Sequence, residues 1–242
     1  MIFGLRAVIE AILAGKDVDK ILLAKDLSGD LVKQLFASLK GKVIPVHSVP
    51  MERINRITRK NHQGVVAFLS PITYERIENI IPTLYEEGKN PFIVMLDGIT
   101  DVGNFGAIAR SCCCAGVDAL IIPQKGSVSV SADAVKSSAG ALLKIPVCKE
   151  NNLYQCLRYL QKSGLKAVAV TEKGEKNFTQ ISYKEPIVLI LGSEETGISP
   201  ELLKICDEKV FIPMTSAIAS LNVSVATGIS LYECVRQRTA VG

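Results

Sequence analysis

Three short polar sets are spaced so that they could do chemistry together: Asn104 with Arg110, Glu194, and the trio Ser220, Asn222 and Ser224. Carboxamides, a carboxylate and hydroxyls are hydrogen-bonding groups. A guanidinium adds a positive charge that can clamp an anion bidentately or stabilise an oxyanion as it develops. The set holds no histidine. The chain has only His47 and His62, both in its first third, so a Ser-His-Asp or Cys-His site here would need the first third to reach over it. No G-x-G-x-x-G follows a strand and no G-x-x-x-x-G-K-[ST] is present, which argues against a dinucleotide site and against nucleotide hydrolysis. The seven cysteines are odd in number and three of them, Cys112 to Cys114, are consecutive. Neighbouring helical residues point in different directions and build no metal cage. No metal is called for, and the thiols read as small packing residues of a protein in a reducing cytoplasm.

Taken singly, each polar group has a plainer use. Ser and Asn cap helix N-termini, and Ser220, Asn222 and Ser224 stand before a helical stretch whose apolar face is Leu221, Val225, Ile229 and 231–235. Arg110 could be a surface arginine or a partner for Asp97 or Asp101. Glu194 could complement the helix dipole near "ISPELLK", and Gly192 and Gly197 could be turn glycines.

The elements that must position these groups decide between the two uses. "FIVMLDG", "ALIIP", "KAVAV", "IVLILG" and "KVFIPM" are short Val/Ile/Leu-rich runs without polar alternation, as in parallel strands covered on both faces. Between them lie helical stretches: "FGAIARSCCCAG", "ADAVKSSAGALL" and "LYQCLRYLQKSG". The pattern is α/β, an open, mostly parallel sheet with helices on both faces. Ligands of such sheets bind outside the carboxyl ends of the strands. Three of the runs end in the polar loops "ITDVGNFGAIARS", "SEETGISP" and "TSAIASLN", which carry the three sets. That convergence predicts a pocket.

The first third is a separate α/β segment: helix "LRAVIEAILAG", strand "KILLA", helix "SGDLVKQLFASLKG", strand "KVIPVHSV", helix "MERINRITR", strand "GVVAFLS". The polar, proline-bounded "SPITYERIENIIPTLYEEGKNP" then reads as a linker or connecting helix. The expected divisions are 1–72, 73–90 and 91–242. Charge follows them. Up to Ile72 there are 11 Lys and Arg against 6 Asp and Glu, a balance of +5, and the remainder has 17 against 18, a balance of −1. A basic first third suggests a polyanionic partner. Arg53, Arg56 and Arg59 stand at three-residue spacing, close to one helical face, with Lys60 beside them; Arg6, His62 and Gln63 are weaker candidates. Arg236 and Arg238 could meet the same partner or complement a helix end. At 48% hydrophobic and 21% charged residues the composition is that of a soluble globular protein. No apolar run reaches the ~20 residues of a membrane span, and the N-terminus reads as an amphipathic helix rather than a signal peptide.

"NFGAIARS", "LGSEETGIS" and "IPMTSAIASLNVSVA" together resemble the three ordered motifs of the SpoU (TrmH-like) RNA ribose 2′-O-methyltransferases. "FGLRAVIEAI", "NHQGVVA" and the ending "ATGISLYECVRQR" resemble the 23S rRNA guanosine-2′-O-methyltransferase subgroup. The resemblance implies an S-adenosylmethionine site in a deep trefoil knot, an L30e-like N-terminal RNA-binding domain, and a homodimer with active sites near the subunit interface. It implies 23S rRNA or a large-subunit precursor as partner, and a cytoplasmic location. Cofactor contacts, largely from backbone, fall on Gly192, Ile212 and Leu221. Ser220 and Asn222 would cap their helix and face the methyl donor and ribose, Asn104 would orient Arg110, and Glu194 would tie the loops together. The family proposal makes Arg110 the base for the 2′-hydroxyl. Arginine normally stays protonated, so a phosphate clamp or oxyanion stabiliser is the other role. Val102 replaces a common proline and Ser216 a frequent glycine. A tRNA methyltransferase, a non-catalytic RNA-binding or ribosome-assembly protein of the same fold, and a small-molecule enzyme are the rivals.

Overall fold

The computed structural model describes residues 1–42, 44–215 and 220–239, and the chain divides into two units at Thr73/Tyr74. The first unit runs β1 (Ile2–Phe3), α1 (Leu5–Leu13), β2 (Val18–Ala24), α2 (Asp30–Ser38), β3 (Val46–Val49), α3 (Met51–Ile57) and β4 (Val65–Leu69). Its sheet has the order β1-β4-β2-β3, with β2 and β3 parallel and the other pairs antiparallel. Successive residues of a strand face opposite sides, and in β2 both sides are covered. Ile21 and Leu23 pack with Leu5, Val8, Ile12 and Leu35 of α1 and α2, whereas Leu22 and Ala24 pack with Ile54 of α3. This is why "KILLA" is apolar throughout. The strand expected over 42–49 shrinks to β3: Pro45 has no N–H to pair, and pairing begins where its carbonyl accepts from Ile21 N at 2.9 Å.

The second unit runs α4 (Ile77–Glu86), β5 (Phe92–Asp97), α5 (Val102–Cys114), β6 (Ala119–Pro123), α6 (Ala132–Ser137), β7 (Val147–Glu150), α7 (Leu153–Lys162), β8 (Lys166–Val170), β9 (Lys176–Asn177), β10 (Ile187–Gly192), α8 (Pro200–Leu203), β11 (Glu208–Phe211) and α9 (Val223–Thr239). Seven strands form one sheet in the order β7-β6-β5-β10-β8-β11-β9, and each pairing is parallel. On one face Ile93 and Met95 of β5 and Val188 and Ile190 of β10 pack with α4, α7 and α8. The intervening Phe92, Val94 and Leu96 are equally buried, so this sheet is covered on both sides.

The segment 73–90 contains a helix, α4, one of the two readings given for it, and its Ile77, Ile81 and Leu84 belong to the core of the second unit; its polar composition describes only the outer side of that helix. One expectation is corrected. "ADAVKSSAGALL" is not one helix. Ala139 and Gly140 take φ of 50 and 82°, and the chain closes α6 with Gly140 N donating to Val135 O at 3.0 Å before a single 3-10 turn at Ala141–Leu143.

Candidate active site

β5 and β10 lie side by side with Gly192 opposite Asp97, so the loops after them leave the sheet together. The Asp97 carboxylate accepts from Ser199 N at 2.7 Å and ties the second loop to the first strand. The Asp101 side chain caps α5 by accepting from Asn104 N at 2.7 Å. Both carboxylates that could have paired with Arg110 are thus used on backbone N–H groups.

Asn104, Glu194 and Asn222, 118 residues apart at the extremes, meet. Glu194 Oε1 accepts from Asn104 Nδ2 at 3.1 Å, from Asn222 Nδ2 at 2.6 Å and from Val223 N at 3.2 Å. Asn222 Nδ2 also donates to Asn104 Oδ1 at 3.0 Å. On its other side Asn222 Oδ1 accepts from Ser224 N at 3.0 Å and from Ser224 Oγ at 2.6 Å, which makes it the cap of α9. Each amide has one orientation that satisfies all its partners. The glutamate charge sits where the N-terminal dipole of α9 favours it. The polar mouth of this helix therefore serves as a cap and as a clasp joining three loops.

Ser220 does less than expected. It is exposed on the wall of the adjoining cavity and makes no hydrogen bond with another described residue, because the cap position falls on Asn222 two residues later. Arg110, two turns along α5 from Asn104, is exposed and has no hydrogen-bond or ion-pair partner among the described residues. A guanidinium left free on the helix that carries Asn104 is available to an incoming anion.

A cavity of about 330 Å³ opens beside the clasp, within the range of small-molecule sites. Its inner wall is apolar, with Val170, Leu191, Ile198, Ile212, Leu221, Val223 and Ala226, and Gly192 lines it too. A Cβ on Gly192 would overlap the backbone of Gly197 and Ile198, so the loop folds back against the strand end only because this residue has no side chain. All three residues expected at a cofactor line this wall. Sequence reasoning missed Thr171, Glu172 and Lys173 after β8, which also line the cavity. Their signal was a fourth strand end, "KAVAV", followed by the polar "TEKG". Ser216 lies outside the described residues.

The cysteines play no part in this chemistry. Cys112, Cys148, Cys156 and Cys234 are buried, and burial pushes the thiols of Cys148 and Cys234 up to about 12. Among the described residues no group of His, Cys, Asp and Glu could hold a metal ion. Arg238 is not free for a polyanion: it donates to the carbonyls of Tyr183, Asn90 and Glu185 and covers the Phe92 ring at 4.7 Å. Arg236 pairs with Glu233 at 2.8 Å.

In the first unit Arg6, Arg53, Arg56, Arg59 and Lys60 are all exposed. The helical-face expectation is half right. α3 ends at Ile57 and Thr58 is extended, so Arg53 and Arg56 share the helix while Arg59 and Lys60 continue beyond it. Lys60 sits over the Phe3 ring at 5.8 Å. His62 accepts from Gly64 N at Nδ1 and contacts Asn55 Oδ1 at 2.8 Å through Nε2, a pairing that places its proton on Nε2. The ring thus braces the α3–β4 turn.

One prediction follows from the clasp. Asn222→Ala removes a helix cap and two donations to neighbouring side chains, and is expected to lower unfolding free energy by about 1–2 kcal/mol. Asn222→Ser, which keeps a capping oxygen, recovers most of that. Denaturant midpoints measured beside turnover check it: if both variants keep wild-type turnover, the clasp does not position the site.

Residues 91–232 match the model of the SpoU rRNA Methylase family, and residues 1–75 match that for RNA 2′-O ribose methyltransferase substrate binding. A protein of Staphylococcus saprophyticus, provisionally named a TrmH family tRNA/rRNA methyltransferase, is 31% identical over 242 residues, 100% of this chain and 97% of its own. The structure of an AdoMet-bound rRNA methyltransferase from Sinorhizobium meliloti aligns with a TM-score of 0.63 at 28% identity, covering 99% of this chain and 87% of that one. The A. aeolicus TrmH/SpoU tRNA modifying enzyme aligns with a TM-score of 0.56 at 35% identity, over 66% of this chain and 83% of its own.

Proposed function

This chain belongs to the SpoU methylase family, and from that premise we propose that it methylates the ribose 2′-hydroxyl of a guanosine in 23S rRNA or a large-subunit precursor. Its cofactor is S-adenosylmethionine, which supplies an electrophilic methyl group when bound. The cavity beside the clasp suits that ligand: an apolar wall for a purine, backbone groups at Gly192, Ile212 and Leu221 within the lining, and a polar rim. The observation that carries the reading is the clasp of Asn104, Glu194 and Asn222, which locks the loops around the cavity while leaving Arg110 unpaired.

The residues of the chain divide the work. Asn104, Glu194 and Asn222 hold the loops so that ribose and donor can approach in line, the geometry methyl transfer needs. Arg110 clamps an RNA phosphate and stabilises the oxyanion that develops at the 2′-oxygen, while an oxygen of that phosphate takes the 2′-hydroxyl proton. Ser220, exposed at the rim, faces the same place. A homodimer with sites near its interface, a trefoil knot built by the loops around β10 and β11, an L30e-like first unit and a cytoplasmic location complete the proposal. No described helix is long and apolar enough to cross a membrane. The match along 99% of the chain to an rRNA enzyme favours rRNA over tRNA.

The first unit then binds the RNA backbone through Arg53, Arg56, Arg59 and Lys60, with Arg6 and His62 beside them in the proposal. Aromatic residues are 5% of the chain, too few for extended base stacking, so phosphate and shape recognition dominate. Replacing Arg53, Arg56 and Arg59 together by Ala is expected to weaken rRNA binding and to reduce the slope of log K against log salt by about 2 to 3. A filter-binding titration over several salt concentrations checks this, and an unchanged slope would place the RNA elsewhere.

A further inference from the structure

Lys173 is the sole cation on the wall of the cavity among the described residues, against three carboxylates, Glu172, Glu194 and Glu195. Residues 216–219 are Ser, Ala, Ile and Ala in the sequence and bring no charge of their own. S-adenosylmethionine carries two positive centres, its sulfonium and its α-ammonium, and one negative centre, its carboxylate. Glutamates suit the positive centres. A carboxylate placed among them is repelled unless a cation meets it.

We propose that Lys173 binds the carboxylate of the aminoacyl end of the cofactor, an assignment that rests on S-adenosylmethionine being the ligand of this cavity. The loop that carries Lys173 is pinned. Thr171 N donates to Val210 O at 2.9 Å, Gly174 N to Thr171 O at 3.0 Å and Glu175 N to Lys209 O at 3.0 Å. Lys173 N donates to Thr171 Oγ1 at 3.3 Å. Its ammonium, by contrast, has no ion-pair or hydrogen-bond partner among the described residues, and the residue is exposed while lining the cavity. Nearby lysines are spoken for: Lys166 and Lys176 both reach Glu208. A compact charge on a flexible stem over a fixed backbone can reach a ligand carboxylate without rearranging the loop. Lys173 thereby fixes which end of the cofactor lies outward and leaves the apolar wall to the adenine.

Calorimetric titration of the full chain with S-adenosylmethionine and with decarboxylated S-adenosylmethionine tests this. The wild type is expected to prefer the carboxylated ligand by about tenfold, the effect of one charge-assisted hydrogen bond. Lys173→Ala and Lys173→Gln should bind S-adenosylmethionine about tenfold more weakly and the decarboxylated ligand unchanged, which erases the preference; Lys173→Arg should restore it. A preference that survives in Lys173→Ala overturns the assignment. So does an equal loss for both ligands, which would mean a damaged loop, or a loss confined to RNA binding. A wild type that binds neither ligand overturns the cofactor reading itself, a result distinct from all of these.

Discussion

Arg110→Ala is expected to lower the rate of methyl transfer by about 10²–10³-fold or more, with affinity for S-adenosylmethionine unchanged. The argument starts from what Arg110 does not do. It pairs with no carboxylate, caps no helix and lines no part of the cavity among the described residues, so its removal costs the fold and the cofactor little. Asp97 and Asp101, the partners considered for it in the sequence, hold Ser199 N and Asn104 N instead. An exposed guanidinium is solvated at little cost and stays available to an incoming anion. Arg110→Lys is expected to recover only a small part of the rate, because an ammonium cannot make the two parallel bonds of a guanidinium to a phosphate. Single-turnover rates and cofactor titrations on the same variants check both halves. An active Arg110→Ala protein would remove this residue from the chemistry.

The second large effect is expected at Gly192. Gly192→Ala should weaken binding of S-adenosylmethionine by about 5- to 150-fold. The added Cβ meets backbone atoms of Gly197 and Ile198, not the end of a side chain that could swing away. The loop 193–198 must then move off the strand end, at a cost of about 1–3 kcal/mol. That loop carries Glu194, so the clasp to Asn104 and Asn222 is displaced along with the cavity wall. Turnover should fall with binding, unlike the separation expected at Arg110. Equilibrium dialysis with labelled cofactor checks it, and wild-type affinity would show that the wall is not where the ligand rests.

Much of this site was legible because parallel sheets bury both faces and ligands gather at strand ends. Uniformly apolar runs such as "IVLILG" marked the strands, and the polar loops behind them marked the site. The Asn104–Glu194–Asn222 meeting was legible only as convergence, since sequence order does not reveal that β5 and β10 are neighbours. What escaped has local causes. β7 is four residues long and half polar, and β9 is two residues long and wholly polar, too short for any period to show. The break in α6 depends on a left-handed Ala139, which no residue type announces. The wall at Thr171–Lys173 was passed over because a polar loop after a strand is ordinary until the neighbouring loops are known. Arg59 fell outside its helix because Thr58, β-branched and extended, ends α3 two residues sooner than the arginine spacing suggested.

The most direct test of the central claim is to incubate the protein with unmodified large-subunit rRNA and methyl-labelled S-adenosylmethionine, then to map the label. The expected result is label on the 2′-oxygen of one guanosine of 23S rRNA, recovered as an alkali-resistant dinucleotide. Label on tRNA alone would keep the chemistry and overturn the substrate. Label on a base, or none with naked rRNA, precursor particles or tRNA, would contradict the proposed activity.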